Sequence, residues 1–142
     1  MNHVDTTGWK LKSAAVKSTL MPSIALVVKE AAQDIYNRAN ENLSGPGINP
    51  KVKGADNSAI GEMPVPRRTG NLARSLKQQP LTPGLSAVFT DEREANYGKY
   101  VHDGTRYMKP RRYLGDVVSA RGQYWFTRFD EVIRGNIRKV GT

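Results

Sequence analysis

Apolar residues recur at helical spacing in two long stretches of this chain. In the first, the stripe is formed by Ile24, Val28, Ala31, Ile35 and Ala39. Intervals of three and four residues place side chains on one helix face. Pro22 suits the first turn of a helix, with Thr19 before it as a possible cap. The pattern therefore predicts a helix of about twenty residues from Pro22 to near Leu43, where Ser44-Gly45-Pro46-Gly47 ends it.

The second stretch runs from Gln123 to Lys139, near the carboxyl end of the sequence. Its apolar and amide positions also fall on one side at helical offsets: Trp125, Phe129, Val132, Ile133, Asn136 and Ile137. An amphipathic helix is the expected result.

Strand-like alternation occurs between these helices. Leu85, Ala87 and Phe89 alternate with Ser86, Val88 and Thr90, so Leu81–Thr90 is predicted to form one strand, or two strands with a turn at Pro83-Gly84. A further strand is expected over Tyr113–Ser119. Two long helices packed on a small, mostly antiparallel sheet make an α+β fold.

The remaining segments contain few large apolar residues. We expect residues 1–142 to form a single domain, because this length suits one core. Residues 1–19 are predicted to be an extended N-terminal arm, and residues 45–66, rich in Gly and Pro, an extended loop. A loop this long is either an arm that orders against a neighbouring subunit or a disordered segment.

Two short motifs follow the predicted loop. The first, Thr69-Gly70-Asn71-Leu72, leads into a predicted short helix over Thr69–Gln79 that carries Leu72 and Leu76 on its apolar side. Thr69 or Asn71 can cap the exposed N–H groups at its start.

The second motif runs from Tyr97 to Leu114. Tyr97, Tyr100 and Val101 stand three and four residues apart, so they are expected to share the buried face of a one-turn helix. Gly104 supplies a permissive backbone where that helix ends, and Pro110 prevents its immediate resumption.

Together the two motifs resemble the paired signatures of a neck or tail-completion family of long-tailed double-stranded DNA phages. The matching residues are Thr69, Gly70, Leu72, Tyr97, Gly98, Tyr100, Val101, Gly104, Thr105, Pro110, Tyr113 and Leu114. The resemblance covers the second half of the chain and depends on the order and spacing of both motifs.

The resemblance implies a structural virion protein that joins the DNA-filled head to the tail as a homo-oligomeric ring, without a cofactor. Tail-terminator and head-closure proteins are alternatives within the neck. The implied partners are other copies of the chain, a head connector or head-closure protein, a tail terminator or tail tube protein, and genomic DNA in the lumen. The implied location is the virion neck, after synthesis in the host cytoplasm.

Structural roles follow for the motif residues. Thr69 and Gly70 are expected to set a turn, and Leu72 with Leu76 to pack on the core. Gly104, Thr105 and Pro110 are expected to shape the loop after the short helix, while Tyr113 and Leu114 return to the core.

The charge balance is strongly basic. Lys and Arg number 22 and Asp and Glu 13, which gives a formal net charge of +9 and favours nucleic acid or an acidic protein surface as partner. The candidate subunit-interface residues are the acidic Asp91, Glu92 and Glu94 and the basic Arg106, Lys109, Arg111 and Arg112. The candidate DNA or partner contacts are Arg67, Arg68, Arg74 and Lys77.

Catalytic chemistry has little support in the sequence. Without cysteine there is no thiol nucleophile or disulfide framework, and His3 and His102 stand in no zinc-binding spacing. His102 beside Asp103 is either an oriented base or a solvent-facing polar pair. We expect no enzymatic activity, no metal and no membrane association, since the apolar run Ile24–Val28 is too short to span a bilayer.

A DNA-binding protein without sequence preference is the competing functional class. Its positive charge would contact the phosphate backbone, and its tyrosines would be available for stacking on bases. The residues show no helix-turn-helix, RRM or zinc-finger pattern, so sequence-specific recognition is not expected.

Overall fold

The computed structural model describes residues 6–45, 65, 69–106 and 109–141, which form an α+β fold as predicted. The elements of this part of the chain are α1 (Thr6–Leu43), α2 (Asn71–Ser75), β1 (Leu76–Thr82), β2 (Leu85–Thr90), α3 (Gly98–Asp103) and α4 (Gly115–Gly141). The two long helices and the hairpin of β1 and β2 supply its architecture.

Helix α1 is about twice as long as the sequence pattern predicts. It ends at Leu43 as expected, but it begins at Thr6, so the predicted extended arm over residues 1–19 is wrong for residues 6–19. Pro22 lies inside the helix and does not start it. Lysine, alanine and leucine before Pro22 favour helix strongly, which offsets part of the cost of an interior proline.

Helix α4 runs antiparallel to α1 and packs along it. The carboxylate of Asp34 in α1 contacts Arg121 and Trp125 in α4, and further along Ser23 contacts Asn136. The predicted helix over Gln123–Lys139 is confirmed but begins earlier, at Gly115. The strand predicted over Tyr113–Ser119 is therefore wrong, because most of that segment is the first turn of α4.

The hairpin confirms the two-strand alternative with a turn at Pro83-Gly84. Its antiparallel register pairs Leu76 with Thr90 and Gln78 with Val88, with an irregularity between Pro80 and Thr82. The second helix is shorter than the predicted Thr69–Gln79, since the chain enters β1 at Leu76. Pro80 cannot donate a helical hydrogen bond, and the cross-strand pairs stabilise the extended conformation.

One hydrophobic core lies where the last turns of α1 meet the start of α4, the hairpin and the two short helices. Its buried members are Ala39, Leu43, Val65, Leu72, Leu76, Ala95, Tyr113 and Val117. Val88 of β2 packs against this core, while Leu85 and Phe89 on the opposite face of the strand are exposed. The remainder of α1 and α4 extends away from the core as a helix pair.

Candidate functional site

Tyr113 is the residue on which the two sequence motifs meet. Its side chain is 1% exposed, and its hydroxyl donates a hydrogen bond to the Gly98 carbonyl oxygen at 3.1 Å. Asn42 of α1 donates from its side-chain amide to the Tyr113 carbonyl oxygen at 3.0 Å. Burial raises the pKa of the Tyr113 hydroxyl, which therefore stays protonated and available as a donor. Tyr113 thus ties α1, α3 and the start of α4 together.

Gly98 lets the first motif approach the second. A Cβ atom at this position would lie 3.1 Å from Leu72 Cδ1 and 3.3 Å from the Tyr113 hydroxyl oxygen. Both distances are shorter than an ordinary carbon contact, so a larger residue would push α2, α3 and Tyr113 apart.

Replacing Gly98 with alanine is expected to destabilise the protein by about 1–2 kcal/mol, because overpacking outweighs the better helix propensity of alanine. Gly122 in α4 is the matched control, since a Cβ there meets nothing within 4 Å. Gly122→Ala should stabilise the protein by up to about 1 kcal/mol. Urea denaturation of both variants checks the opposite signs, and equal shifts would contradict the close approach at Gly98.

The first motif forms the turn that the sequence predicts. Gly70 adopts a left-handed conformation at φ 79°, and the Thr69 hydroxyl accepts a hydrogen bond from the Asn71 N–H at 3.3 Å. Leu72 and Leu76 are buried. Their predicted packing role is confirmed, with Leu76 packing from a strand.

The predicted buried face of α3 is wrong for its two tyrosines. Tyr97 is 41% exposed and Tyr100 is 50% exposed. Gly98 is buried and Val101 packs against the core, so the helix is rotated relative to the prediction. Position 98 has room only for a very small residue beneath Tyr113. The helix therefore turns Gly98 toward the core, and Tyr97 and Tyr100 remain on the surface.

The loop after α3 begins as predicted. Gly104 has φ 79°, and its N–H donates to the Tyr100 carbonyl oxygen at 2.9 Å. Thr105 and Pro110 are exposed, and Leu114 packs partly against the core. Predicted shaping of the loop by Gly104 is confirmed by its positive φ.

His102 joins α3 to α4. Its Nε2 accepts the Gly115 N–H at 2.9 Å, and its Nδ1 lies 2.7 Å from the Asp103 carboxylate. Because an amide N–H can only donate, Nε2 carries no proton and Nδ1–H donates to Asp103. The ring also packs edge-on against Tyr113. The His102 side chain is 20% exposed, and its Nε2 lone pair accepts the N–H of Gly115, the first residue of α4.

The candidate basic interface residues differ in accessibility. Arg106, Lys109 and Arg112 are exposed, whereas Arg111 is only 7% exposed. The Arg111 N–H donates to the Val101 carbonyl oxygen at 2.9 Å, which holds the loop against α3. Arg106, Lys109 and Arg112 are therefore the members that a partner can reach.

The candidate acidic residues serve a turn within the chain. Asp91 accepts from the Arg93 N–H at 2.9 Å and its own N–H donates to the Ser75 carbonyl oxygen at 2.7 Å. Glu94 forms an ion pair with Lys77 at 2.9 Å, although the sequence assigned these two residues to different surfaces. Glu92 is exposed.

The candidate DNA contacts are only partly placed. Arg74 is exposed and hydrogen-bonds through its guanidinium to the Asn71 side chain. Arg67, Arg68 and most of the predicted loop over residues 45–66 lie outside the described residues. Of that loop, Val65 is buried in the core, and its N–H donates to the Asn42 carbonyl oxygen at 2.6 Å.

A polar cluster between the long helices is missed by the sequence analysis. The Asp34 carboxylate accepts from Arg38 and Arg121 at 2.8 Å and from the Trp125 ring N–H at 2.7 Å. Partial burial alone would raise the pKa of Asp34, but these hydrogen bonds outweigh it and lower the pKa from 3.8 to about 2. Asp34 stands three residues after Ala31 of the apolar stripe, so its spacing indicates a carboxylate beside the packed face of α1.

No group of three or more His, Cys, Asp or Glu residues among the described residues is arranged to hold a metal ion. In the same part of the chain, none of the helices combines the length and apolar composition that crossing a bilayer requires. No protein-family model, curated protein or solved structure matches this chain.

The buried motif residues pack together where α2, α3 and the start of α4 meet, and exposed residues surround this junction. Arg106, Lys109 and Arg112 are exposed between α3 and α4, Tyr97 is exposed directly before α3, and Tyr100 is exposed within it. Such a surface suits binding through charge and aromatic contact.

Proposed function

We propose that this chain is a structural subunit of the neck of a long-tailed double-stranded DNA phage, where a homo-oligomeric ring of it joins the head to the tail. The observation that carries the proposal is the order and spacing of the two motifs. Support comes from their meeting in space: Leu72 of the first motif and Tyr113 of the second both approach Gly98. The two motifs thus act as one packing unit.

Two exposed apolar surfaces support assembly into a ring. The first lies on the hairpin, where Leu81 and Leu85 are each 53% exposed and Phe89 is 37% exposed. The second lies on α4, where Phe126 is 71% exposed and Ile137 is 51% exposed. Phe126 and Ile137 are eleven residues apart, which places them on one helix face.

These surfaces belong to separate elements, since the hairpin and α4 each pack on α1. A ring requires two different complementary faces on each subunit, because its contacts are heterologous. The hairpin surface and the α4 surface meet that requirement. In this proposal the exposed Lys109 and Arg112 contribute positive charge to the subunit contacts.

Introducing charge into the α4 surface is expected to break the ring. Phe126→Glu would desolvate a carboxylate in the contact, and hot-spot losses of about 2 kcal/mol or more weaken each contact about thirtyfold. Ala120→Glu is the control, because it adds the same charge at an exposed position on another side of α4. Light scattering should show an oligomer for the natural chain and Ala120→Glu, and a 15.8 kDa monomer for Phe126→Glu.

Electron microscopy of assembled particles tests the location. Density for this chain is expected between the head connector and the tail tube. Density in the tube, at the tail tip or in the capsid shell would overturn the proposal. It would also be overturned if the natural chain were monomeric and particles assembled without it still had heads joined to tails.

A further inference from the structure

Helices α1 and α4 pack in a regular register, which determines which of their residues lie together at the end of the pair away from the core. Asp34 contacts Trp125 and, three turns away, Ser23 contacts Asn136, so paired positions keep a constant sum along the helices. Continuing that register places Gly141, the last residue of α4, level with residue 18 of α1. Residues 6–17 therefore extend beyond α4 by about 18 Å, at 1.5 Å for each residue.

The described segments 6–27 of α1 and 132–141 of α4, which form the end of the pair away from the core, contain no acidic residue. We define the basic pole as residues 6–27 of α1 together with the level residues 132–141 of α4. Its cations are Lys10, Lys12, Lys17, Arg134, Arg138 and Lys139. They account for six of the nine excess positive charges of the chain.

The described charges of the pole are accessible. Lys17, Arg134, Arg138 and Lys139 are exposed. Arg134 also forms an ion pair with Asp130, one turn nearer the core, at 2.8 Å, with both side chains more than half exposed. Exposed pairs of this kind are weak, so Arg134 can exchange its partner.

The opposite end of the molecule, around the hydrophobic core, carries both acidic and basic residues. There Asp91, Glu92, Glu94, Asp103 and Asp116 stand among the arginines and lysines around the core. The antiparallel packing of α1 and α4 thus brings together two basic sequence segments that are more than a hundred residues apart.

We infer that the basic pole binds the phosphate backbone of duplex DNA without sequence preference. A cluster of exposed cations within segments that contain no acidic residue suits the dense negative charge of a duplex. An acidic protein has a sparser and less regular negative charge than a duplex. Such a partner would be expected to bind equally well to the end around the core, where basic and acidic residues are mixed.

The arrangement of α1 disfavours an anionic membrane as the occupant. A helix that lies in a membrane interface separates an apolar face from a cationic one. In α1 the exposed apolar residues share no single face, since Met21 and Leu26 stand about 140° apart around the axis. Phosphate contacts need no such apolar face.

Duplex binding by the basic pole does not depend on the proposed neck function, because it can be measured on the purified chain without phage particles. It also relocates the DNA contact that the sequence suggested, from the motif junction to the opposite end of the molecule.

The test measures affinity for a mixed-sequence duplex by fluorescence anisotropy between about 50 and 200 mM salt. The full chain is compared with the triple variant Lys17→Gln, Arg138→Gln, Lys139→Gln. The charge-matched control is Arg93→Gln, Lys99→Gln, Lys109→Gln, whose residues are exposed near the other end. Circular dichroism verifies that each variant is folded.

Each phosphate contact contributes about 0.9 to the slope of log affinity against log salt. The pole variant is expected to lower the slope by about 2–3, and the control by less than about 1. Equal slope losses in the two variants, or no duplex binding at low salt, would overturn the inference. Binding to vesicles of phosphatidylserine and phosphatidylcholine without duplex binding would identify a membrane surface and also overturn it.

The proposed neck function has an independent outcome. A chain that binds no DNA and still locates between head and tail would overturn only the inference, and a DNA-binding chain absent from the neck would overturn only the proposed function.

Discussion

Replacing Tyr113 with alanine is expected to lower the free energy of unfolding by about 4 kcal/mol. The side chain is 1% exposed and is the largest fully buried one among the described residues, so its removal leaves a cavity lined by the core. Large aromatic deletions in cores cost about 3–5 kcal/mol. Chemical denaturation monitored by far-UV circular dichroism measures the change.

Tyr113→Phe separates the hydroxyl from the ring. Phenylalanine retains the packing but leaves the Gly98 carbonyl oxygen without its 3.1 Å donor, so we expect a loss of about 1–2 kcal/mol. The control is Tyr100→Ala, because Tyr100 is 50% exposed on the neighbouring helix. It should change stability by less than about 0.5 kcal/mol.

Equal destabilisation by Tyr113→Ala and Tyr100→Ala would contradict the orientation of α3. That result would return the buried role to Tyr100, as the spacing in the sequence suggests. The two variants therefore test the structural correction at α3 as well as the role of Tyr113.

Local chemistry explains which elements were predictable. The hairpin was recognisable because strand alternation flanks Pro83-Gly84, and these residues are turn formers in any context. The ends of α1 and α3 were recognisable because glycines follow them closely. In each case the signal lies within a few residues of the feature.

Competition between neighbouring signals explains the errors. Pro22 suggested a helix start, yet α1 continues through it because the residues before it also favour helix and α4 packs alongside from about residue 18 onward. Spacing at Tyr97 and Tyr100 suggested a buried face, yet the close contact of Gly98 with Leu72 and Tyr113 determines the rotation of α3. Tertiary packing decided both.

Features formed by distant residues could not be predicted. Asp34 and Trp125 are 91 residues apart in the sequence, and no local pattern predicts that their side chains form a hydrogen bond. The basic pole has the same origin, since its two segments join only when α1 and α4 pack antiparallel. Glu94 and Lys77 were assigned to separate surfaces because their pairing depends on the hairpin.

Replacing Asp34 with asparagine is expected to destabilise the protein by about 2 kcal/mol at neutral pH and to flatten its acid response. The pKa of Asp34 falls from 3.8 to about 2 in the folded state, so folding favours the ionised carboxylate. A difference of this size corresponds to about 2 kcal/mol. The contribution is fully present above pH about 4 and is lost as the pH falls through about 2.

The measurement is the free energy of unfolding in urea at a series of pH values from neutral to about 2. The natural chain should lose stability more steeply than Asp34→Asn below pH about 4, and the two curves should converge near pH 2. Asp130→Asn is the matched control, because Asp130 is 51% exposed and pairs with Arg134 on the same helix. It should cost about 0.5 kcal/mol or less.

Parallel acid curves for the natural chain and Asp34→Asn would show that the carboxylate does not titrate with folding, and would contradict its contacts with Arg121 and Trp125. Convergence with the expected sign would instead place the ionised Asp34 between the helices as the contact that holds α4 in register. Because that register determines which residues reach the far end of the pair, Asp34→Asn should also weaken duplex binding by the basic pole, although residue 34 lies outside it.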